Sequence, residues 1–161
     1  MEVTIRELVI EDAEEIRALI QGLAEYEKMP DSVELTVPQL QKDIGSKAVL
    51  GFTARDSNNK LAGMVLFYMA YSTWQGQYVH MEDLYVNPKL RRSGIGLKLW
   101  ARVAQFAKER NIKRLQWNVL DWNTDAIFFY EKQPCVNLTK TEGWYLFRMG
   151  PDDINHLSKS N

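Results

Sequence analysis

Residues 91 to 96, Arg91-Arg92-Ser93-Gly94-Ile95-Gly96, constrain this chain more than any other stretch, because an acid-tipped apolar segment (Val79 to Val86) leads in and an amphipathic segment follows. The two glycines let the backbone take conformations closed to residues with a Cβ and approach a ligand closely. The unpaired N–H groups of a helix start favour an anion, so the arrangement predicts a strand, a phosphate-holding loop and a helix. Spacing separates the phosphate loops. A dinucleotide-binding turn needs a third glycine where Leu99 stands, and it follows its strand directly, whereas Asn87-Pro88-Lys89-Leu90 intervenes here. The Lys-Ser/Thr pair that closes a P-loop is absent. Taken alone, the hexapeptide reads equally well as a helix start with two turn glycines.

A chain of 161 residues fits a single domain, expected over 1–161, with a substantial core. An apolar share of 45% and five tryptophans point to a packed globule. A formal charge of −1 supplies no large field for nucleic acid or an anionic membrane, so neither partner is expected, and a cationic substrate has to be drawn by local acids. Cys135 is the only cysteine, which excludes an internal disulfide and a cysteine-based zinc site; it reads as a packing residue, with no paired base to activate it. His80 has no partner at ligand spacing, and no metal is expected. The start Met1-Glu2-Val3-Thr4 lacks an export pattern, so the reducing cytosol is the expected location. The strongly apolar stretch Leu61 to Ala70 is too short for a membrane span and reads as a buried strand.

Along the chain, Val3 to Leu8 predicts a strand, and Asp12 opens a helix with the stripe Ala13, Ile16, Leu19, Ile20 and Leu23. A short helix follows Thr36, with Pro38 in its first turn. Strands Ala48 to Arg55 and Leu61 to Ala70 flank the turn Asp56-Ser57-Asn58-Asn59, and a loop from Ser72 to Gln77 leads to the strand Val79 to Val86. The helix after the glycine loop closes near Asn111, and Leu115, Trp117 and Val119 alternate as a strand. Asp121 to Thr124 caps a short helix running through Lys132. Two C-terminal strands are expected around Val136 to Thr139 and Trp144 to Met149, and the last dozen residues are expected to fray. The fold class is α+β around a mixed sheet.

With these landmarks in order, the chain from Thr4 to Met149 resembles the GNAT superfamily of N-acetyltransferases. It is most similar to the diamine (spermidine/spermine) acetyltransferases and their thialysine-acetylating relatives. The residues that carry this are Leu23-Ala24-Glu25-Tyr26-Glu27-Lys28, Tyr71-Ser72-Thr73-Trp74, Glu82-Asp83-Leu84-Tyr85-Val86, Arg91-x-x-Gly94-x-Gly96, Val119-Leu120-Asp121-Trp122-Asn123, Tyr130 and Glu142-Gly143-Trp144. The resemblance implies a twisted, mostly antiparallel sheet flanked by helices, acetyl-CoA as co-substrate, a small-molecule amine as acceptor and a homodimer. Two departures stand out. Ser72 takes the place of the acid that polyamine enzymes carry ahead of the loop tryptophan, as in the thialysine-type relatives, and Gln133-Pro134 replaces the glycine usual after the catalytic tyrosine.

Acetylating an alkylamine of pKa near ~10.4 at neutral pH requires a base. The resemblance gives Glu82 that role, while the residues alone read Glu82-Asp83 as an acidic strand end. Tyr130 would return a proton to the departing thiolate, which a phenol can supply, although beside Ile127 and Phe128 it also reads as an aromatic anchor. By resemblance Leu84, Tyr85 and Val86 border the pantetheine arm, and Arg91, Arg92, Ser93, Gly94, Ile95, Gly96 and Leu97 hold the pyrophosphate. Asn123, Thr124, Asp125 and Ala126, with Lys132, complete that wall. Asn123 and Tyr130, seven apart, share a helix face. The acceptor side would be Tyr26, Glu27, Ser72, Trp74, Asp83, Gln116, Trp117, Asn118 and Glu142. Glu25 to Lys28 reads equally as a solvated helix end, and Trp117 and Trp144 as core residues on strands. Thialysine or a lysine analogue is the expected acceptor; a polyamine, a peptide lysine, or acetyl-CoA binding without catalysis are the alternatives.

Overall fold

The computed structural model describes residues 2–160, which divide into two compact units, one ending at Leu120 and the other beginning at Asp121. In the first, five strands form one sheet in chain order: β1 (Thr4–Glu7), β2 (Leu50–Arg55), β3 (Leu61–Ser72), β4 (Gly76–Val86) and β5 (Leu115–Trp117). Neighbours from β1 to β4 are antiparallel, whereas β5 is parallel to β4. A parallel neighbour requires a crossover, and helix α3 (Ile95–Glu109) provides it. Helices α1 (Ala13–Tyr26) and α2 (Val37–Gly45) precede β2. The α+β class read from the sequence is the observed one.

Local chemistry places the joints. Thr36 Oγ1 accepts from Gln39 N (3.3 Å) at the start of α2, and Pro38 takes a position where its missing donor costs nothing. Asp56 Oδ1 accepts from the N–H groups of Asn58 and Lys60, both at 2.9 Å, which folds the β2–β3 hairpin. The next hairpin is tighter than the expected Ser72 to Gln77 loop. Ser72 Oγ accepts from Trp74 N (3.2 Å), and Gly76 supplies the left-handed backbone (φ +80°) from which β4 departs.

On one face of the sheet, Ala13 and Ile16 of α1 and Leu40 and Ile44 of α2 pack with Leu8, Met64, Leu66 and Tyr85. The other packs the rings of Phe52 and Phe67 against Phe106 of α3. These two faces are threaded by one irregularity in β4. Leu66 pairs with Asp83 while Phe67 pairs with Met81, so Glu82 is an extra residue, a β-bulge. Val79 and Met81 are buried on the Phe67 face, and beyond the bulge Tyr85 lies in the α1 core. Asp12, 2% exposed, anchors the start of α1 by accepting from Arg6 (2.6 and 2.8 Å), Arg55 (2.7 Å) and Val9 N (3.0 Å). Burial pushes its carboxyl pKa up, but these donors outweigh burial and leave it below the ordinary value.

The second unit holds α4 (Thr124–Glu131), α5 (Leu138–Glu142) and α6 (Pro151–Leu157). It corrects the expected C-terminal strands. Asn137 Oδ1 accepts from Lys140 N (3.2 Å), so cap chemistry turns Leu138 onward into a helical turn. Gly143, left-handed at φ +72°, then ends it. Residues 144–149 belong to no strand, because an apolar run is held extended only against a partner strand. Trp144, expected in the core, is 62% exposed. Cys135 is exposed rather than packed, its Sγ donating to Tyr130 O (3.4 Å). The last dozen residues include α6 and are not frayed throughout. In the first unit, β5 ends at Trp117 and leaves Val119 exposed, two residues short of the expected strand.

Candidate active site

The C-terminal half of β4 organises the predicted residues of the first unit. Asn87 N donates to Ala62 O (2.9 Å), so by ladder alternation Asn87, Tyr85 and Asp83 direct their backbone groups to β3, and Leu84 and Val86 direct theirs to the opposite side. On that side β5 pairs with only Val79, His80 and Met81. Within the first unit, Leu84 and Val86 therefore lie on an edge that β5 leaves unpaired, able to accept an extended chain carrying amides beside the Arg91 Nε bound at Val86 O.

The glycine loop follows directly. Gly94 is left-handed (φ +83°) and is the N-cap of α3; Gly96 is ordinary helix in the first turn. Only Gly94 needs the conformational freedom that both glycines were expected to use. Arg92 is also left-handed (φ +62°), and Ser93 Oγ donates to Leu90 O (2.5 Å). These bends set the start of α3 beside exposed Arg92, Ser93 and Gly94, where N–H groups and helix dipole favour an anion. The Arg91 side chain is engaged within the protein. Its Nε donates to Val86 O (3.2 Å), and its guanidinium stacks on the rings of Tyr26 (4.5 Å) and Tyr85 (5.3 Å).

The bulge decides the electrostatics. It exposes Glu82, whose side chain is 60% accessible, and sets Asp83 on the α1 side opposite Leu66. Burial first, then the charges of Glu82 and Glu27, push the Asp83 carboxyl up to about 7. Glu27, closing α1, is raised by burial and by Glu82, so three acids from two elements share one field. Sequence reading missed a neighbour: His80 Nε2 lies 3.7 Å from Glu82 Oε2 and its ring stacks on Tyr68. The signal was present, since residues two apart on a strand share a face. Gln116 pairs with His80 and Trp117 with Met81. Trp117 is half-buried, edge-on to Trp100, while Asn118 is exposed. Ser72 and Trp74 sit at the β3–β4 turn, Trp74 being 87% exposed.

The second unit carries the remaining candidates. Asn123 Oδ1 accepts from Ala126 N (3.2 Å), capping α4, with Thr124 and Asp125 in its first turn. Tyr130 is half-buried near the end of that helix, its ring edge-on to Phe129. Lys132 closes α4 with Nζ 4.4 Å from the Phe128 ring, and Pro134 falls just beyond the helix, where no helical donor is lost. Glu142 accepts from Trp144 Nε1. Among the described residues, no cluster of three or more His, Cys, Asp or Glu side chains could hold a metal ion, and no helix is long and apolar enough to cross a membrane. A cavity of about 600 Å³ lined by Phe52, Phe67, Phe106 and Arg110 opens near the start of β4 and contains none of the predicted residues.

The chain is similar to known acetyltransferases. Residues 13–133 match the model of the Acetyltransferase (GNAT) family. The chain is 52% identical over 146 residues to a thialysine N-epsilon-acetyltransferase of Caenorhabditis elegans, covering 91% of each chain. It is 30% identical to a human spermidine/spermine N(1)-acetyltransferase-like protein 1, covering 93% of this chain and 23% of that one. A ribosomal-protein-alanine N-acetyltransferase from Brucella melitensis superposes with a TM-score of 0.74 at 26% identity, covering 92% of this chain and 100% of that one. With its open β4 edge, its left-handed glycine loop and these likenesses, the chain belongs to the GNAT acetyltransferase family and is an N-acetyltransferase.

Proposed function

We propose that this enzyme transfers the acetyl group of acetyl-CoA to the side-chain amine of thialysine or a close lysine analogue, by direct attack within a ternary complex. The observation that carries this reading is the bulge, which projects Glu82 beside the open edge of β4. The substrate class draws on the likeness to the Caenorhabditis elegans protein.

The chain's residues fit the co-substrate. Leu84 and Val86 border an edge suited to the pantetheine amides, and Arg92 through Leu97 offer the loop and helix-start N–H groups to the pyrophosphate. By resemblance, Asn123 to Ala126 at the start of α4 and Lys132 are further cofactor-binding residues in this reading. Bound acetyl-CoA supplies the activated acyl group. Glu82 takes the proton of the incoming ammonium, directly or through water, and Tyr130 returns one to the thiolate. Glu27 and Asp83 draw the cation, while Tyr26, Ser72, Trp74, Gln116, Trp117, Asn118 and Glu142 line its approach. A homodimer, a cytosolic location and a single catalytic domain over 1–161 belong to the same proposal and rest on the sequence reading.

The shared field of Glu27, Glu82 and Asp83 favours a second reading, a polyamine acceptor. Ser72 argues against it, because a hydroxyl compensates a desolvated second ammonium less well than a carboxylate. We expect higher kcat/KM for thialysine than for spermidine. Ser72→Asp should move the ratio toward spermidine by about 10-fold, equivalent to about 1.4 kcal/mol, while aspartate keeps the acceptor for Trp74 N. The test of the proposal is thiol release from acetyl-CoA across thialysine, lysine, spermidine and lysine peptides, with products identified by mass. Transfer to thialysine at the highest kcat/KM supports it, and outright preference for spermidine or peptides overturns the substrate assignment.

A further inference from the structure

We propose that Arg91 couples cofactor binding to amine binding, by tying the glycine loop to the end of α1 that carries Tyr26 and Glu27. This rests on the site assignments just proposed. The tie is built from both sides. Arg91 opens the loop; its guanidinium lies 4.5 Å from the centre of the Tyr26 ring and 5.3 Å from that of Tyr85, and its Nε is fixed by Val86 O at 3.2 Å. Tyr85 is itself set into α1. It is 7% exposed, and a Cβ on Gly22 of α1 would come within 3.1 Å of its hydroxyl.

One planar cation thus bridges a ring on the helix and a ring on the strand, a role a lysine ammonium does not reproduce. The consequence is thermodynamic. Ordering the loop around a pyrophosphate fixes Arg91, Arg91 fixes the last turn of α1, and that turn presents Tyr26 and Glu27 to the amine. By linkage, amine binding must favour cofactor binding by the same factor. Arg91 is therefore a positioning residue, working through Tyr26 rather than on the reacting atoms.

Calorimetry with two ligands that cannot react, coenzyme A and thialysine, tests this. Thialysine affinity is measured with and without saturating coenzyme A, and the ratio of the two is the coupling. That ratio cancels any direct loss of amine contact. We expect about tenfold coupling in the wild type, within the range typical of linked sites. Arg91→Gln and Tyr26→Leu should bring it below about twofold, and Tyr26→Phe, which keeps the ring, should retain it. Tyr26 is 36% exposed, so its substitution tests the tie without emptying the core, and thermal melting checks the fold. A wild-type ratio near one, or full coupling in Tyr26→Leu, overturns the inference while leaving the enzyme assignment intact. Failure of wild-type protein to bind coenzyme A at all overturns the cofactor-site assignment and the inference together.

Discussion

Glu82→Gln is expected to lower kcat/KM for amine acetylation by about 10²–10⁴-fold, the usual scale of a general base, with the largest loss at low pH where free amine is scarce. Glutamine keeps the size of Glu82 and its exposed position in the bulge, so the fold and coenzyme A affinity should stay as they are. The pH profile adds a second readout. Asp83 is held up to about 7 by burial and then by the charges of Glu82 and Glu27; below that pH it is neutral, above it anionic. The amine KM should therefore fall as pH rises through about 7. Removing the Glu82 charge should move that inflection downward, because one of the repelling anions is gone. A variant with full activity from acid to alkaline pH would send the search for the base to another residue.

Gly94→Val is expected to abolish measurable coenzyme A binding while leaving the sheet intact. The reason is the backbone and not crowding: Gly94 sits at φ +83°, yet a Cβ there would meet nothing within 4 Å. Valine, branched at Cβ, is a severe misfit in the left-handed region, where strain of about 1–3 kcal/mol per residue is typical. The loop would relieve it by rotating the N–H groups at the start of α3 away from the phosphate position. An alanine at the same site should be intermediate, which separates strain from steric blockade. Titration calorimetry measures both, and unchanged affinity in the valine variant would remove the loop from the cofactor site.

Much of this was legible in residue order. Turn and cap chemistry located the loop at Gly94, the start of α2 at Thr36 and the hairpin at Asp56, because each is decided within a few residues. What depended on partners was not. Val79 through Val86 reads as one acid-tipped strand, and only pairing with β3 reveals the extra residue at Glu82 that sets Asp83 on the α1 side. Residues 144–149 form an apolar run of the kind a strand would carry, yet belong to no strand, and Asn137 and Gly143 impose a helical turn just before them. Arg91 was legible as a loop residue. That its side chain bridges Tyr26 and Tyr85 follows only from the packing of α1 on β4.

The central claim is that the bulge at Glu82 drives acetyl transfer to the side-chain nitrogen of a thialysine-like amine. Its most direct test is the mass and fragmentation of the product formed from acetyl-CoA and thialysine by wild type and Glu82→Gln, run in parallel at one pH and salt. The account predicts one acetyl group, on the side-chain nitrogen, with wild type, and a yield lower by about 100-fold or more with the variant. No acetylated thialysine from the wild type, or equal yields from the two proteins, would contradict it.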